Sequence, residues 1–383
     1  MKHIYCDHVA VNPLNPEVLE AMMPYLKEEF GNPMSVYSLG IKSKVAIEEA
    51  RQKVAELINA RSSEIIFTAS GAEANNFALR GIASAKKRQG KHLIVTRMEH
   101  HSITNASRYL EKSDFTVSYV NPDHYGIITP ESIRKTIIDE TILISVIHGS
   151  PEVGTIEPIK EIAQVAHEKG ITIHTDAIDS TGNIPIDVRD MGVDLLSLSA
   201  HQFYGPKGAA ALYVKEGVRI VPFIYGGIQE GGRRAGTENV PAIVGMGKAA
   251  ELAKRDLDKR MNHVKRLRDK VIATFTQIDG VVLTGHPEKR LPGHASFTVK
   301  NIEGEGMLLL LGGHGISAAS GSACTSKALK ASPALQSMGI EAQLAHGSIV
   351  FTFGMDNTEE DIDYLIQVFP NIIKRLRDMS PLS

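Results

Sequence analysis

Short apolar runs recur between residues 64 and 214, and stretches in which apolar residues have helical spacing separate them. The runs have the length of buried strands, and stretches such as 159–168 have the period of amphipathic helices. This alternation predicts a mainly parallel or mixed sheet with helices on both faces. We expect seven strands, at 64–68, 92–96, 115–120, 141–147, 172–175, 195–198 and 210–214.

Helical patterns flank the predicted strands along the chain. Asn15 can cap a helix over 16–30, which the turn Gly31-Asn32-Pro33 would end. A glycine-rich loop over 226–236 is too long for a simple turn. The other long helices are expected at 41–58, 240–276 and 358–379.

The chain is predicted to form two domains, each with its own core. At 383 residues with 43% hydrophobic content, it is long enough for one large and one smaller domain. We assign 14–255 to a large α/β domain, and 1–13 together with 256–383 to a smaller α+β domain. Active sites of such sheets form beyond the carboxyl ends of the strands, where we expect the chemistry.

Charge and composition exclude several classes of function. Lys and Arg total 42 against 44 Asp and Glu, and no block of like charges suits nucleic acid or an acidic membrane. No apolar run reaches the roughly 18 residues of a membrane span, and the N-terminus lacks the apolar core of a signal peptide. We therefore expect a cytoplasmic protein. The two cysteines, Cys6 and Cys324, are too few for a disulfide framework and are expected to be free thiols.

The segment 67–76 runs from a predicted strand through small residues into a helix. At Gly71, Ala72 and Glu73 the free backbone amides and the helix dipole would favour a phosphate group. A turn of this composition is also common where no ligand binds. The neighbouring motifs favour the phosphate site.

Two polar residues follow other predicted strands. Asp176 ends a buried strand, where a carboxylate needs a cation or a protonated ring nitrogen to offset its lost hydration. The alternative is an aspartate that caps the strand end. His100 could stack on a planar ring, or it could be an ordinary loop histidine.

Cys324 lies in a loop of small residues, 320–326. A single cysteine is usually a small buried hydrophobe, but this one lies in a polar segment where burial is not expected. We therefore favour a reactive thiol.

Together these motifs resemble the NifS/IscS group of cysteine desulfurases, which are dimeric fold-type I pyridoxal phosphate enzymes. These enzymes move sulfur from cysteine onto a loop cysteine as a persulfide. The resemblance covers nearly the whole chain and implies their fold, an α/β large domain plus a smaller α+β domain. It rests on Phe30-Gly31-Asn32-Pro33, Glu73-Ala74-Asn75-Asn76, Glu99-His100-His101, Glu152-Val153-Gly154-Thr155, His174-Thr175-Asp176-Ala177, Gly205-Pro206-Lys207-Gly208, Gly236-Thr237-Glu238-Asn239, Leu344-Ala345-His346-Gly347-Ser348 and the Cys324 loop.

The resemblance implies a role for each motif. His100 would stack on the cofactor ring, Asp176 would meet the ring nitrogen, and Cys324 would accept sulfur. Thr237 would reach the phosphate of the partner subunit across a homodimer interface. The full set of implied cofactor-binding positions is Gly71, Ala72, Glu73, His100, Asp176, Asp179, Ser199, His201 and Thr237.

The chain departs from the family at the cofactor site. The lysine that would form the Schiff base is Gln202, and an amide nitrogen is not nucleophilic. The arginine that would clamp the substrate carboxylate is Val350. A carboxylate at Asp179 is expected to repel the phenolate oxygen of the cofactor, to which the family's glutamine donates a hydrogen bond. The other departures are Ala72 in place of a phosphate-binding threonine, Ser150-Pro151 in place of an asparagine pair, and Asp7-His8-Val9-Ala10-Val11 near the N-terminus.

These departures favour a cysteine desulfurase homologue whose own pyridoxal phosphate chemistry is lost or severely weakened. Cys324 would remain as a persulfide carrier, or as an iron–sulfur cluster ligand shared with a scaffold protein of the IscU type. One alternative is an active desulfurase that binds pyridoxal phosphate without a covalent link. Another is a binding protein with a metal in the former pocket, whose candidate ligands are His8, His100, Asp176, Asp179 and His201.

Overall fold

A seven-stranded mixed sheet forms the centre of the larger domain. The structure is a computed structural model that describes residues 3–321 and 331–379. The strands in these ranges are β1 (Ile4–Tyr5), β2 (Ile65–Thr68), β3 (His92–Thr96), β4 (Thr116–Val120), β5 (Thr141–Ile147), β6 (Thr172–Asp176), β7 (Leu195–Ser199), β8 (Ala210–Val214), β9 (Val281–Leu283), β10 (His294–Val299), β11 (Ile316–Ser317) and β12 (Ser348–Thr352).

The order of strands in the large sheet is β2-β8-β7-β6-β5-β3-β4. β8 is antiparallel to β2 and β7, and the remaining pairs are parallel. The seven predicted strands are confirmed, with ends that differ by one residue at most. The carboxyl ends of β3, β5, β6 and β7 therefore lie at one edge of the sheet.

Helices bury both faces of this sheet. Ile65 and Phe67 of β2 belong to one apolar core, whereas Ile66 between them belongs to another on the opposite face.

No helix within 3–321 and 331–379 combines the length and the apolar character that crossing a membrane would require. The helices are α1 (Pro16–Lys27), α2 (Ser38–Leu57), α3 (Gly71–Lys86), α4 (His101–Glu111), α5 (Pro130–Thr136), α6 (Ile159–His167), α7 (Val188–Met191), α8 (Val240–Phe275), α9 (Gly304–Gly313), α10 (Pro333–Ser337), α11 (Ala342–His346) and α12 (Glu359–Met379).

The smaller domain has a separate core rich in phenylalanine. β12, β10 and β9 form an antiparallel sheet, and β1 pairs with β11 beside it. Phe275 at the end of α8 packs on Phe369 of α12, with ring centroids 4.4 Å apart. Ile4 and Cys6 from the N-terminus join this core. The 36-residue α8 thus begins in one core and ends in the other.

The first two helices begin and end differently from the prediction. Asn15 caps α1 as expected, since its side chain accepts a hydrogen bond from Glu17 N. α1 ends at Lys27, however, and α2 already begins at Ser38. A Cβ atom at Gly40 would lie 2.4 Å from the carbonyl oxygen of Ser35, so only glycine lets the connection fold back this closely. That approach is a tertiary contact, which helix periodicity does not report.

Candidate active site

A chain of hydrogen bonds connects His100 to Asp176 at the carboxyl edge of the sheet. The Asn75 amide donates to Asp176 Oδ2 at 2.6 Å and to Ser102 Oγ at 2.9 Å. Ser102 Oγ in turn lies 2.8 Å from His100 Nδ1. Three segments that are far apart in sequence, after β2, β3 and β6, therefore share one network.

Asp176 is a buried carboxylate whose two oxygens each accept a hydrogen bond. Its side chain is 2% exposed, and Oδ1 accepts a hydrogen bond from Ile178 N at 3.1 Å. Burial raises the pKa of this carboxyl group, and the bonds from Ile178 and Asn75 oppose that rise. A cation placed against the carboxylate would offset the cost of burying its charge.

The first turn of α3 lies beside Ser199 and His201. Ser199 Oγ is 2.8 Å from His201 Nδ1. A Cβ atom at Gly71 would lie 3.6 Å from Ser199 Cβ, which is ordinary contact, and 2.2 Å from Ile178 Cδ1, so a larger residue would require the Ile178 side chain to move. Helix amides, a hydroxyl group and an imidazole thus surround one corner, which suits a phosphate group. Ala72 contributes only a methyl group there, and it is exposed.

Glu73 has a different role from the other predicted phosphate-site residues. Its carboxylate pairs with Arg234 Nε at 2.8 Å and accepts from Ala69 N at 2.9 Å. These bonds tie the glycine-rich loop to the start of α3, so Glu73 positions the loop. Thr237 of the same loop is exposed in the single chain, and its contact with a partner subunit stays a prediction.

Gln202 is buried, and its amide is bonded to the N-terminal segment. The side chain is 3% exposed, and Nε2 donates to the Val9 carbonyl oxygen at 2.6 Å. Asn12 Nδ2 donates to the Gln202 carbonyl oxygen at 2.8 Å. The side chain at the Schiff-base position therefore has a structural partner 193 residues away in sequence.

The structure changes the expectation for Asp179. Burial, together with the charge of Asp176, raises its pKa well above the ordinary value for a carboxyl group. A neutral carboxyl group donates a hydrogen bond, whereas the charged form that the sequence suggested would repel a phenolate. The expected repulsion is therefore removed as long as Asp179 holds its proton.

Val350 supplies no charge to the site. It is 3% exposed and lies in β12 opposite Ser296 of β10. Its neighbours Ile349 and Phe351 belong to the core of the smaller domain, whereas Val350 itself does not. Because side chains alternate along a strand, position 350 faces away from that core.

Two further acidic residues have raised pKa values that the sequence did not predict. Burial raises the pKa of Glu99 to about 8, although Thr96 Oγ1 and Ile147 N donate to its carboxylate at 2.8 and 2.9 Å. Burial also raises the pKa of Glu152 to about 7, and Glu152 bonds to the Ser332 hydroxyl. Both residues belong to motifs that carry the family resemblance, but their pKa values are raised by burial in the folded chain, which the motifs do not report.

The structure does not assemble the predicted metal ligands. Across the described parts of the chain, no three His, Cys, Asp or Glu side chains form a group that could hold a metal ion. His8, His100 and Asp179 are thus not brought together as ligands. Cys324, the predicted sulfur acceptor and cluster ligand, lies outside the described residues.

Comparison with known proteins gives consistent similarities over the whole chain. A family model described as aminotransferase class-V matches residues 4–365. The chain is 46% identical over 382 residues to a cysteine desulfurase IscS of Methanosarcina thermophila, which covers 100% of this chain and 95% of that protein. It is 48% identical over 384 residues to an IscS of Clostridium botulinum, with coverage of 100% and 97%. A solved NifS-like protein superimposes with a TM-score of 0.92 at 33% identity, covering 98% of this chain and 100% of the other.

Proposed function

This chain belongs to the aminotransferase class-V family as a homologue of the IscS cysteine desulfurases, and from that premise we propose that its own pyridoxal phosphate chemistry is lost or severely weakened. In this proposal the chain serves sulfur transfer or iron–sulfur cluster assembly. Cys324 holds a persulfide formed elsewhere, or it binds a cluster together with a scaffold protein of the IscU type.

The single observation that carries the proposal is the state of Gln202. A Schiff base requires a primary amine, and this buried amide donates instead to the Val9 carbonyl oxygen at 2.6 Å. The amide is thus occupied by a structural hydrogen bond, which links the former lysine position to the N-terminal segment. Val350 adds a second loss, because no cation at that position meets a substrate carboxylate.

The residues present fit the ring of pyridoxal phosphate but not its covalent attachment. Asp176 suits a protonated ring nitrogen, and the start of α3 with Ser199 and His201 suits a phosphate. Position 202 offers no nucleophile, and Ala72 offers no hydroxyl group. We therefore assign no catalytic step to the cofactor in this chain.

Covalent trapping of the cofactor tests the proposal directly. The purified protein is incubated with pyridoxal phosphate, reduced with borohydride and analysed by mass spectrometry. We expect no cofactor attached in the cleft of the natural chain, and attachment at position 202 in Gln202→Lys. Gln52→Lys places a lysine on an exposed helical face and reports unspecific labelling. Cofactor trapped on a cleft residue of the natural chain would overturn the proposal.

A second candidate is an active desulfurase that binds the cofactor without a covalent link. The intact network from His100 to Asp176 favours this candidate, and the raised pKa of Asp179 lessens the repulsion expected between its carboxylate and the phenolate oxygen. The full-length similarity to IscS proteins favours it as well.

Product analysis separates the two candidates. Alanine formation from cysteine is measured with added pyridoxal phosphate, and Asp176→Leu serves as the variant that removes the partner of the ring nitrogen. Our proposal predicts the same background rate for both proteins. A rate that depends on Asp176 without any covalent attachment would establish the second candidate.

The proposed role of Cys324 has its own test. A persulfide donor transfers its terminal sulfur to the Cys324 thiolate and leaves as a thiolate, so no external oxidant is needed. Mass spectrometry after incubation with an active desulfurase and cysteine is expected to show one added sulfur at Cys324. Cys324→Ser should lose this addition, and Cys6→Ser should keep it because Cys6 is buried. Labelling that is unaffected by Cys324→Ser would contradict the role.

An exposed apolar surface supports the proposed homodimer. Phe30, Val36, Tyr37 and Ile41 are exposed around the start of α2, with Val36 91% exposed in the single chain. Apolar surface of this kind commonly marks an interface. Light scattering is expected to show a dimer for the natural chain and for Leu309→Asp, a variant of a separate exposed position, but a monomer for Val36→Asp. A monomeric natural chain would refute the dimer.

A further inference from the structure

A cavity of about 50 Å³ lies between the two domains beside Gln202. Its walls include His8 from the N-terminal segment, Asp179 after β6, Arg260 of α8 and Gly354 after β12. His100, Asp176 and Ser199, which form the ring and phosphate site, are not part of these walls. The cavity is therefore a distinct space that adjoins the cofactor site at Asp179 and Gln202.

Arg260 enters this cavity without a counter-ion. It is 8% exposed, makes no hydrogen bond or ion pair with any described residue, and its Nη1 atom is fully enclosed without a partner. Its guanidinium group lies 5.1 Å from the centre of the Tyr204 ring, which is an attractive contact but not a charge partner. The carboxylate one turn earlier, Asp256, is paired with Arg255 at 2.8 Å.

A buried guanidinium group in this state carries a large desolvation cost. Guanidinium groups remain charged in proteins, so the group cannot avoid the cost by losing its proton. Buried cations are normally paired with an anion and hydrogen-bonded. Arg260 therefore lacks a negatively charged partner that accepts hydrogen bonds.

His8 supplies a second unpartnered nitrogen on the cavity wall. It is 6% exposed, and Nδ1 lies 2.7 Å from Asn12 Oδ1. The Asn12 amide nitrogen donates to the Gln202 carbonyl oxygen, so Asn12 Oδ1 is the acceptor and His8 Nδ1 the donor. His8 Nε2 has no partner, and in the neutral imidazole it is an acceptor, so an anion in the cavity is held by Arg260 and not by His8. Two enclosed polar atoms, one from the N-terminal segment and one from α8, thus lack partners around one cavity.

The volume limits what can occupy the cavity. A water molecule needs about 10–15 Å³ of such volume, so the space of about 50 Å³ holds roughly three to five heavy atoms. Pyridoxal phosphate is far too large. We propose that this cavity binds a small oxyanion, of the size of bicarbonate, acetate or sulfate, through the guanidinium group of Arg260. The proposed binding rests on Arg260 and not on the loss of cofactor chemistry, although Asp179 and Gln202 of the cofactor site also line the cavity.

Thermal unfolding with and without oxyanions tests this site. The full chain is titrated with sulfate, acetate or bicarbonate at constant ionic strength, with chloride as the reference salt. We expect a saturable stabilisation of the natural chain by at least one oxyanion, and at least a tenfold weaker apparent affinity for Arg260→Met. Lys259→Met removes an equal charge from an exposed neighbouring position of α8 and should respond like the natural chain.

The stability of Arg260→Met without oxyanions distinguishes an arginine that binds an anion from one that only stabilises the fold. Methionine fills similar space without a charge, so Arg260→Met should be at least as stable as the natural chain in chloride alone. Equal oxyanion responses in Arg260→Met and the natural chain would overturn the proposal. So would a chloride response as strong as the oxyanion response.

Crystals soaked in selenate provide a second test that needs no variant. Anomalous scattering should locate selenium within hydrogen-bond distance of the Arg260 guanidinium group. A cavity that contains only water molecules in selenate, acetate and bicarbonate would overturn the proposal, whatever the variants do.

Discussion

The two halves of the candidate cofactor site differ in the groups that they offer. The ring-binding half, from His100 through Asn75 to Asp176, has a continuous network of hydrogen bonds. The reacting half has an amide at position 202 and an apolar side chain at position 350. The network of the ring-binding half also fixes three strand ends to one another, so its loss would damage the fold. Gln202 and Val350 of the reacting half take no part in that network.

Restoring the reacting half should give the largest effect. Gln202→Lys combined with Val350→Arg supplies the amine and the carboxylate clamp. Position 350 faces away from the small-domain core, so the arginine would not enter that core. A charge-assisted clamp contributes about 1.5–3 kcal/mol, and the amine adds the covalent link, so alanine formation should rise about a thousandfold. The measurement is the rate with added pyridoxal phosphate.

Val350→Arg alone is the control for that double variant and should stay near background. A double variant that folds and binds the cofactor, yet forms no alanine, would show that the ring-binding half has also lost its function. The proposed difference between the ring-binding half and the reacting half would then be wrong.

The second prediction concerns the buried Glu99 beside the ring-binding half. Its pKa is raised from 4.5 to about 8, so the folded state holds the proton more tightly than the unfolded state. The stability that this proton contributes is present below about pH 4.5 and is lost as the pH rises to about 8. Glu99→Gln imitates the protonated form, so it should remove a pH-dependent loss of up to about 4 kcal/mol.

Urea unfolding at several pH values between 5 and 8 measures this difference. Glu131→Gln, at an exposed position of α5, should leave the pH dependence unchanged. If natural chain and Glu99→Gln show parallel stability curves, Glu99 is charged in the folded state, and the network beside it is more polar than the structure indicates.

The third prediction measures how much stability the ring-binding network contributes. Asn75→Leu removes the donor to Asp176 and Ser102 and leaves a buried carboxylate oxygen without a partner. The expected cost is about 2–3 kcal/mol in the free energy of unfolding, measured with urea. Asn76→Leu loses a bond to the Ala72 carbonyl oxygen on the same helix and a longer one, at 3.5 Å, to the Ser102 carbonyl oxygen, but leaves Asp176 with its partners, so it should cost less than about 1 kcal/mol. If the two variants lose the same free energy of unfolding, the stability of the fold does not explain why the network is present.

The sequence predicted those features that depend on local patterns. The seven strands follow from the length and apolar character of each run, and the strand-end motifs place His100, Asp176 and Ser199 at one edge of a sheet. Features that depend on tertiary structure were not predicted: burial raises the pKa of Asp179, and the partner of Gln202 comes from the N-terminal segment, 193 residues away in sequence.

Arg260 shows what a closer reading of periodicity could have found. The long helical pattern contains many charges, and one arginine among them suggests a solvated face. Arg260 nevertheless precedes the buried Leu267 and Val271 by seven and eleven residues, which is the spacing of one helix face. The sequence thus contained a signal for its burial, but none for the absence of a counter-ion, because that depends on residues from both domains.

The smallest predicted effect tests whether Gln202 has taken a structural role. Gln202→Ala removes the hydrogen bond to the Val9 carbonyl oxygen, so the N-terminal segment loses one of its attachments to the large domain. The expected cost is about 1 kcal/mol in the free energy of unfolding, with faster hydrogen exchange at residues 8–12. Gln52→Ala, which removes only an exposed helix contact, should change the stability by less than about 0.5 kcal/mol. If Gln202→Ala matches this control and leaves exchange at residues 8–12 unchanged, the buried amide stabilises nothing. The reacting half would then be an eroded site, not one whose lysine position has been rebuilt to hold the N-terminus.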